Sequence, residues 1–466
     1  MLRHCLWILA VPSLLAQQPP VVTVDAVRNA ASRIAPGLPG SGLQPGSRAV
    51  IGGLRLSPGI VRVEVDGQLA PVLQSAPEEL EVALPFRLKP GSVPLTVTVD
   101  GRRSKPVSVI IGSASPGLYE PPKKTSVERG GTLSLISTGA PAAHLWLGGV
   151  RVPVVRRSRG DGTEELRTRV PPSVPLGCGV PVTAVDAAGL PGNTIAIAIH
   201  EKGQPCPADA WTSALGRPGR TGLIVLARSH QGNRATDEGA ALFTVRGEGA
   251  GWPSLIPGSC GLYRAGEGFD PRGSILAQMT GRVPGEGLDA GARITIANGQ
   301  QARALALRTP GFYTRTLDPL PNGPFLEGGR LLVQSTGGRA VGGFSFLLPV
   351  APGFSAGLPA GDSTVGAAPL TLTWTGIGPG HLALVGVTAS DARNQAMVMA
   401  LCVAAPEAGH FLVPAWVRAA LPDTSSATVS VASIPRAPEA AWKATGLDRG
   451  VAFTVQARHA VVVLKR

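Results

Sequence analysis

Short runs in which apolar, often β-branched residues alternate with polar ones recur along the chain, and a turn-forming residue closes each. VRVEV at Val61–Val65 ends on Asp66-Gly67, and LTVTV at Leu95–Val99 ends on Asp100-Gly101. Period-two alternation marks a half-buried strand, and Asp-Gly is a strong hairpin-turn dipeptide. Similar runs are Val107–Ile111, Thr194–Ile199, Ala292–Ile296, Leu370–Trp374 and Ala427–Val431. Further strands are expected at Leu223–Leu226, Ala241–Val245, Phe344–Leu348, Ala396–Val403 and His459–Leu464, with a helical turn or two in Val413–Leu421. More than a fifth of the 466 residues are Gly (61) or Pro (44), which argues against long helices. The fold class expected is all-β: tandem Ig-like β-sandwiches followed by further β-sandwich-like domains.

An internal repeat sets the first divisions. VEVDGQLAPVL and the segment ending at Ile111 align with LWLGGVRVPVV and the segment ending at Ile199. Gly67 falls on Gly149, Pro85 on Pro171 and Pro94 on Pro181. The drift of these offsets suits tandem modules of about 85–90 residues, near the size of Ig-like sandwiches. Ig-like domains are therefore expected at 21–119 and 120–204. Ser115–Pro122 (SPGLYEPP) and Glu201–Pro207 read as linkers. The remainder is split at Pro349–Pro352 into a β-rich domain, 208–350, and a C-terminal β-sandwich-like domain, 351–466.

Residues 1–16 read as a Sec-type signal peptide: Arg3 supplies the charged start, and Leu6–Ala16 the apolar stretch. Cys5 lies before that stretch. No later apolar run reaches the roughly 18–20 residues a membrane helix needs. A secreted or cell-surface chain in an oxidising compartment is expected. Cleavage leaves Cys178, Cys206, Cys260 and Cys402, and an even number suggests disulfides. Four cysteines allow three connectivities, of which Cys178–Cys206 with Cys260–Cys402 is favoured.

The net charge is +13, and only seven of the 43 basic residues are Lys. Arg bias beside abundant Ala, Gly and Pro fits a GC-rich genome; it also fits affinity for anionic surfaces. The candidate anion-binding residues are Arg102 and Arg103, with Lys105 near them, and Arg156, Arg157 and Arg159; Lys123-Lys124 forms another basic cluster. Aromatic residues do not interleave with these clusters, so nucleic acid is not expected as a partner.

The first repeat resembles a module common in exported acidobacterial proteins, of the Ig-like IPT/TIG kind. Asn29–Ser32, Val63–Gly67, Ala70-Pro71, Ser75, Pro85, Gly91 and Pro116–Tyr119 stand at that family's pattern positions. Glu78–Val82 replaces its Q-I-N-like stretch. The resemblance covers 27–119 and extends weakly to about 200. It implies an exported β-sandwich protein and no particular activity.

The chemistry-bearing patterns are sparse. Gly353–Gly357 (GFSAG) fits G-x-S-x-G, but Pro352 precedes it and LPAGD follows, so no helix starts cleanly after Ser355. Gly247–Gly251 and Gly376–Gly380 are glycine-rich and open no helix. Arg159-Gly160-Asp161 is an RGD tripeptide on an expected exposed hairpin tip. Beyond His4 in the expected signal peptide, the histidines, His144, His200, His230, His381, His410 and His459, are scattered without metal-ligand spacing. Trp146, Trp211, Trp252, Trp374, Trp416 and Trp442 offer either sugar-stacking faces or core filling. The expectation is a non-enzymatic binding or scaffold protein without metal or cofactor, directed at anionic polysaccharide or cell envelope. A secreted hydrolase with its site in 208–466 and a purely structural spacer are the alternatives.

Overall fold

The computed structural model describes residues 18–121, 125–247, 255–264, 286–299, 301–317, 325–366, 368–391 and 396–465. The expected signal peptide with Cys5, the Lys123-Lys124 pair, Trp252 and most of the Gly247–Gly251 loop lie outside them. The protein is all-β, as its alternation predicts.

The first sandwich packs two sheets. One has the order Val21–Asn29, Arg48–Leu54, Glu79–Ala83, Val72–Ser75; the other runs Gln68–Ala70, Val61–Val65, Gly91–Val99, with Arg102–Arg103 and Val107–Ile111 both on Gly91–Val99. Inward residues of both sheets, among them Ile51, Leu80, Val63 and Val97, close one core. The Asp-Gly dipeptides make the hairpin turns: Asp66 and Gly67 have φ +51° and +70°, Asp100 and Gly101 +48° and +78°. Positive φ at both central positions gives the turn whose twist matches the flanking strands.

The second sandwich repeats this plan around Leu133, Leu145, Leu166, Val182 and Ile197. Its Gly148-Gly149 turn also has positive φ. The repeat extends to a hydrogen bond. Asp66 N–H donates to Pro94 C=O at 2.8 Å, and Gly148 N–H donates to Pro181 C=O at 2.9 Å.

Two expectations about boundaries fail on packing. The segment read as a linker is structural: Pro116–Leu118 is a buried strand of the second sandwich, paired antiparallel with Thr132–Gly139. Asn193 mimics a further strand there, donating to the Leu118 carbonyl and accepting from its N–H. Residue 350 does not separate two sheets either. Among the described residues, fourteen strands from both sides of it form one sheet. Gly219–Gln231 lies parallel to Arg449–Leu464, and Cys260–Arg264 pairs with Met397–Ala404. Such long-range partners leave no local mark in the sequence.

This large sheet carries three cores. Strands between Gly219 and Pro349 curl around Phe243, Tyr313, Phe344 and Trp442. The strands from His381 onward pack against a small sheet of Ser355–Gly357, Leu370–Thr375 and His410–Val413. The third core holds the short helix Ala210–Leu215 against the sheet. Asp209 caps that helix, and Trp211 is fully buried with its indole N–H on the Pro435 carbonyl at 2.9 Å. Both expected disulfides are present, Cys178–Cys206 and Cys260–Cys402, the second joining directly opposed residues of neighbouring strands.

The units share packing. Ile34 and Leu38 of the first sandwich and Val185 of the second sit inside the core built by the strands from His381 onward. Trp146 of the second sandwich stacks on Trp416 at 5.9 Å. Burying an Ile or Leu contributes about 1.5–3 kcal/mol, so this seam is a substantial weld.

Candidate binding surfaces

Of the arginines singled out by sequence, Arg102, Arg103, Arg156 and Arg157 lie on edge strands of two different sandwiches, and Arg159 follows the second of these strands. Arg102–Arg103 is a short edge strand of the first, where Arg103 pairs with Glu64 at 3.0 Å and donates to Thr96 Oγ1. Val155–Ser158 is an edge strand of the second, exposed at every position, and Arg156 pairs with Glu164 at 3.4 Å. Charged side chains on an open edge block pairing with another chain, which gives these arginines a role in keeping the protein unaggregated.

The RGD tripeptide does not stand free. Arg159 and Gly160 are exposed, but Asp161 is drawn onto the first sandwich. Arg48 donates to its carboxylate at 2.8 Å and, through Nε, to its backbone carbonyl at 2.9 Å. Arg48 also reaches Glu81 at 3.1 Å, and the Tyr119 hydroxyl donates to the same Glu81 oxygen. The Thr163 hydroxyl, more than Arg48, holds the Asp161 carboxyl below its usual range.

The described tryptophans are core residues or pack against one. Trp374 is buried with its indole N–H on the Pro406 carbonyl at 2.8 Å, and Trp442 lies 4.2 Å from the Phe344 ring. Trp211 and Trp416 are buried, and Trp146 is half-buried against Trp416.

Ser355 stands on Ser355–Gly357, an edge strand paired with Leu370–Thr375, and a turn rather than a helix follows it. The strand–turn–helix geometry of a nucleophile elbow does not form. What does form there is an open cleft of about 790 Å³, gathered from three separated segments. The turn between Gly219–Gln231 and Arg234–Arg246 gives one wall, with Gly232 at φ +56°. Residues 355–362 give the second, pinned by the Asp362 N–H on the Val461 carbonyl at 2.8 Å. The strand Arg449–Leu464 gives the third.

The parallel register of Gly219–Gln231 with Arg449–Leu464 sets His230 beside Arg458 and Gln231 beside His459. Arg458 Nε donates to the Phe354 carbonyl at 3.1 Å, with its guanidinium over the Phe354 ring at 6.0 Å. Among the described residues, neither Arg234 nor Arg458 has a carboxylate within ion-pair distance. Behind this wall Arg228 is held by the buried Asp237 through two hydrogen bonds of 2.8 Å. Burial, then the charges of Arg458 and Arg228, hold the His230 imidazole below its usual value; burial does the same at His459. Sequence reading touched this cleft as a motif only at Ser355, through GFSAG; its other lining residues form no motif.

A second groove, of about 690 Å³, lies between the first sandwich and the Cys260–Arg264 strand. Arg264 is among its lining residues. Its guanidinium donates to the Gly192 and Pro191 carbonyls, and burial lowers its pKa to about 10. Those bonds tie the strand to the second sandwich. Among the described residues there is no cluster of three or more metal-ligating side chains, and no helix long and apolar enough to cross a membrane.

No protein-family model and no curated protein matches the chain. Among solved structures it is similar to SGBP-B of the Bacteroides ovatus mixed-linkage glucan utilization locus, in complex with a mixed-linkage heptasaccharide. The identity is 14%, over 77% of this chain and 80% of that one, with a TM-score of 0.17. Domains 4–9 of the surface layer protein SbsC match at 10% identity over 94% and 65% of the two chains, TM-score 0.19. The N-terminal four Ig domains of Dscam1 isoform 8.4 match at 11% identity over 91% and 96%, TM-score 0.12. TM-scores of this size mean that the whole-chain arrangements do not superpose.

Proposed function

We propose that the protein is an exported, non-catalytic binding or scaffold protein of the cell surface or extracellular space, whose partner is an anionic polysaccharide. The observation that carries this reading is the shared core. With Ile34, Leu38 and Val185 inside the packing of the C-terminal sheet, the units hold their loops in fixed relation, as a rigid platform does. Two disulfides suit an oxidising compartment, and the net charge of +13 suits an anionic polymer. Kinship of residues 27–119 with the exported acidobacterial IPT/TIG-like modules belongs to the same proposal.

The test is binding of the purified protein to its own cell-envelope polysaccharide at low and high salt. Saturable binding that weakens with salt is expected. No binding at either salt overturns the polysaccharide partner and leaves the spacer. A second reading, a hydrolase, is favoured by one observation: Ser355, His230, His459 and Asp362 line the same cleft. Hydrolysis of an ester or glycan substrate that Ser355→Ala abolishes would replace the binding reading.

A further inference from the structure

We propose that the cleft bounded by residues 230–234, 355–362 and 458–461 is a subsite for a uronic-acid residue of an acidic polysaccharide. The proposal rests on the binding reading above and names where that binding takes place. It moves the anion contact away from the Arg-rich edges, where Arg103 and Arg156 already have carboxylate partners.

Three features of the cleft set the ligand chemistry. The first is cationic charge that is not tied up in an ion pair. Arg234 and Arg458 face the same space without a described carboxylate partner, and Arg458 is held in place from behind through Nε and the Phe354 ring. A guanidinium fixed in this way loses little freedom on meeting a carboxylate, and its planar fork matches one. Arg228 is neutralised by Asp237, so Arg458 and Arg234 are the charges left to attract an anion here.

The second feature is an apolar wall. Ala356, Leu358 and Pro359 line the cleft, and such a surface packs against the C–H face of a sugar ring. The third is Asp362, which lines the same cleft. A carboxylate there accepts hydrogen bonds from sugar hydroxyls and repels a doubly charged phosphate. Singly charged carboxylate, hydroxyls and an apolar ring face occur together in a uronic acid. Glycines at 232 and 361 keep the two rims low, so a polymer can pass through an open cleft.

The experiment is calorimetric titration of the intact protein with a galacturonic-acid oligosaccharide and with its methyl-esterified, neutral counterpart. Wild-type protein is expected to bind the acid form and to bind the ester at least about tenfold more weakly, about 1.4 kcal/mol. Arg234→Gln and Arg458→Gln are each expected to weaken acid binding by about tenfold, whereas the double variant Arg156→Gln/Arg157→Gln stays within about twofold of wild type. Arg234 is exposed at the end of a hairpin turn, so its variant tests the site even where Arg458→Gln disturbs folding. Equal binding of acid and ester overturns the carboxylate assignment. Loss of binding in the edge variant alone overturns the cleft and leaves the polysaccharide reading intact. Failure of wild-type protein to bind either the oligosaccharide or the envelope polysaccharide overturns both.

Discussion

The Arg48 guanidinium of the first sandwich holds the Asp161 carboxylate of the second at 2.8 Å, so the acidic residue of the RGD tripeptide is spent on joining two units. The ion pair is partly open to water, with Asp161 at 40% side-chain exposure, and by itself contributes little. The wider network contributes more, because Arg48 also serves Glu81, which is 13% exposed. Arg48→Ala is expected to cost about 1–3 kcal/mol by leaving those acceptors short of a donor. It is also expected to make proteolysis faster between the sandwiches. Urea unfolding and limited proteolysis check this; an unchanged midpoint and unchanged cleavage rate would sink it.

Asp237 is fully buried in the C-terminal unit and serves four donors. It takes two hydrogen bonds from Arg228 and one each, at 2.6 and 2.7 Å, from the backbone N–H groups of Phe325 and Leu326. Removing one member of a buried pair leaves the other charge uncompensated, at a cost of about 3–5 kcal/mol. Asp237→Asn is therefore expected to lower thermal stability sharply, more than any single edge-arginine substitution. Differential scanning calorimetry of Asp237→Asn beside Arg157→Gln decides the order.

The disulfides differ in what they restrain. Cys260–Cys402 closes a separation of 142 residues and Cys178–Cys206 one of 28. Chain entropy assigns about 5 kcal/mol to the first and about 3.5 kcal/mol to the second. The double variant Cys260→Ser/Cys402→Ser is expected to lose more stability than Cys178→Ser/Cys206→Ser in equilibrium unfolding. The reverse order would show that native packing, not the unfolded chain, controls the effect.

What the sequence made legible was local. Asp66-Gly67 and Asp100-Gly101 specify their hairpins by their own backbone preferences, and the strands expected by alternation lie within or overlap the observed ones. Pro116–Leu118 misled because Pro and Gly mark linkers by composition, whereas burial of these three residues depends on pairing with Thr132–Gly139 and on the Asn193 side chain. The parallel pairing of Leu223 with Val451 is of the same kind, since nothing near either residue encodes the other. The cleft followed the pairing into obscurity. His230 and Arg458 meet only because that register holds, and Ser355 and Asp362 join them through a small sheet, the Asp362–Val461 backbone hydrogen bond and the parallel pairing of Thr364–Val365 with Val463–Leu464.

Four described imidazoles, those of His144, His230, His381 and His459, are held below their usual value, with burial the largest cause at each. In the unfolded chain histidine takes up its proton near pH 6.5, while these folded sites resist it to lower pH. The unfolded state then binds more protons, so the stability they contribute is whole above about pH 6.5 and is lost as pH falls through the folded values. Glu439 works in the opposite sense, because burial raises its carboxyl and protonation there favours the folded form. The depressed carboxyls of Glu79 and Asp161 titrate below this window. With four groups against one, the urea midpoint is expected to fall between about pH 7 and pH 5. The variant Glu439→Gln, which keeps an acceptor for the Thr454 N–H, removes the opposing group and should steepen that fall. A midpoint that rises on acidification in both proteins would show that burial of these imidazoles does not govern the response.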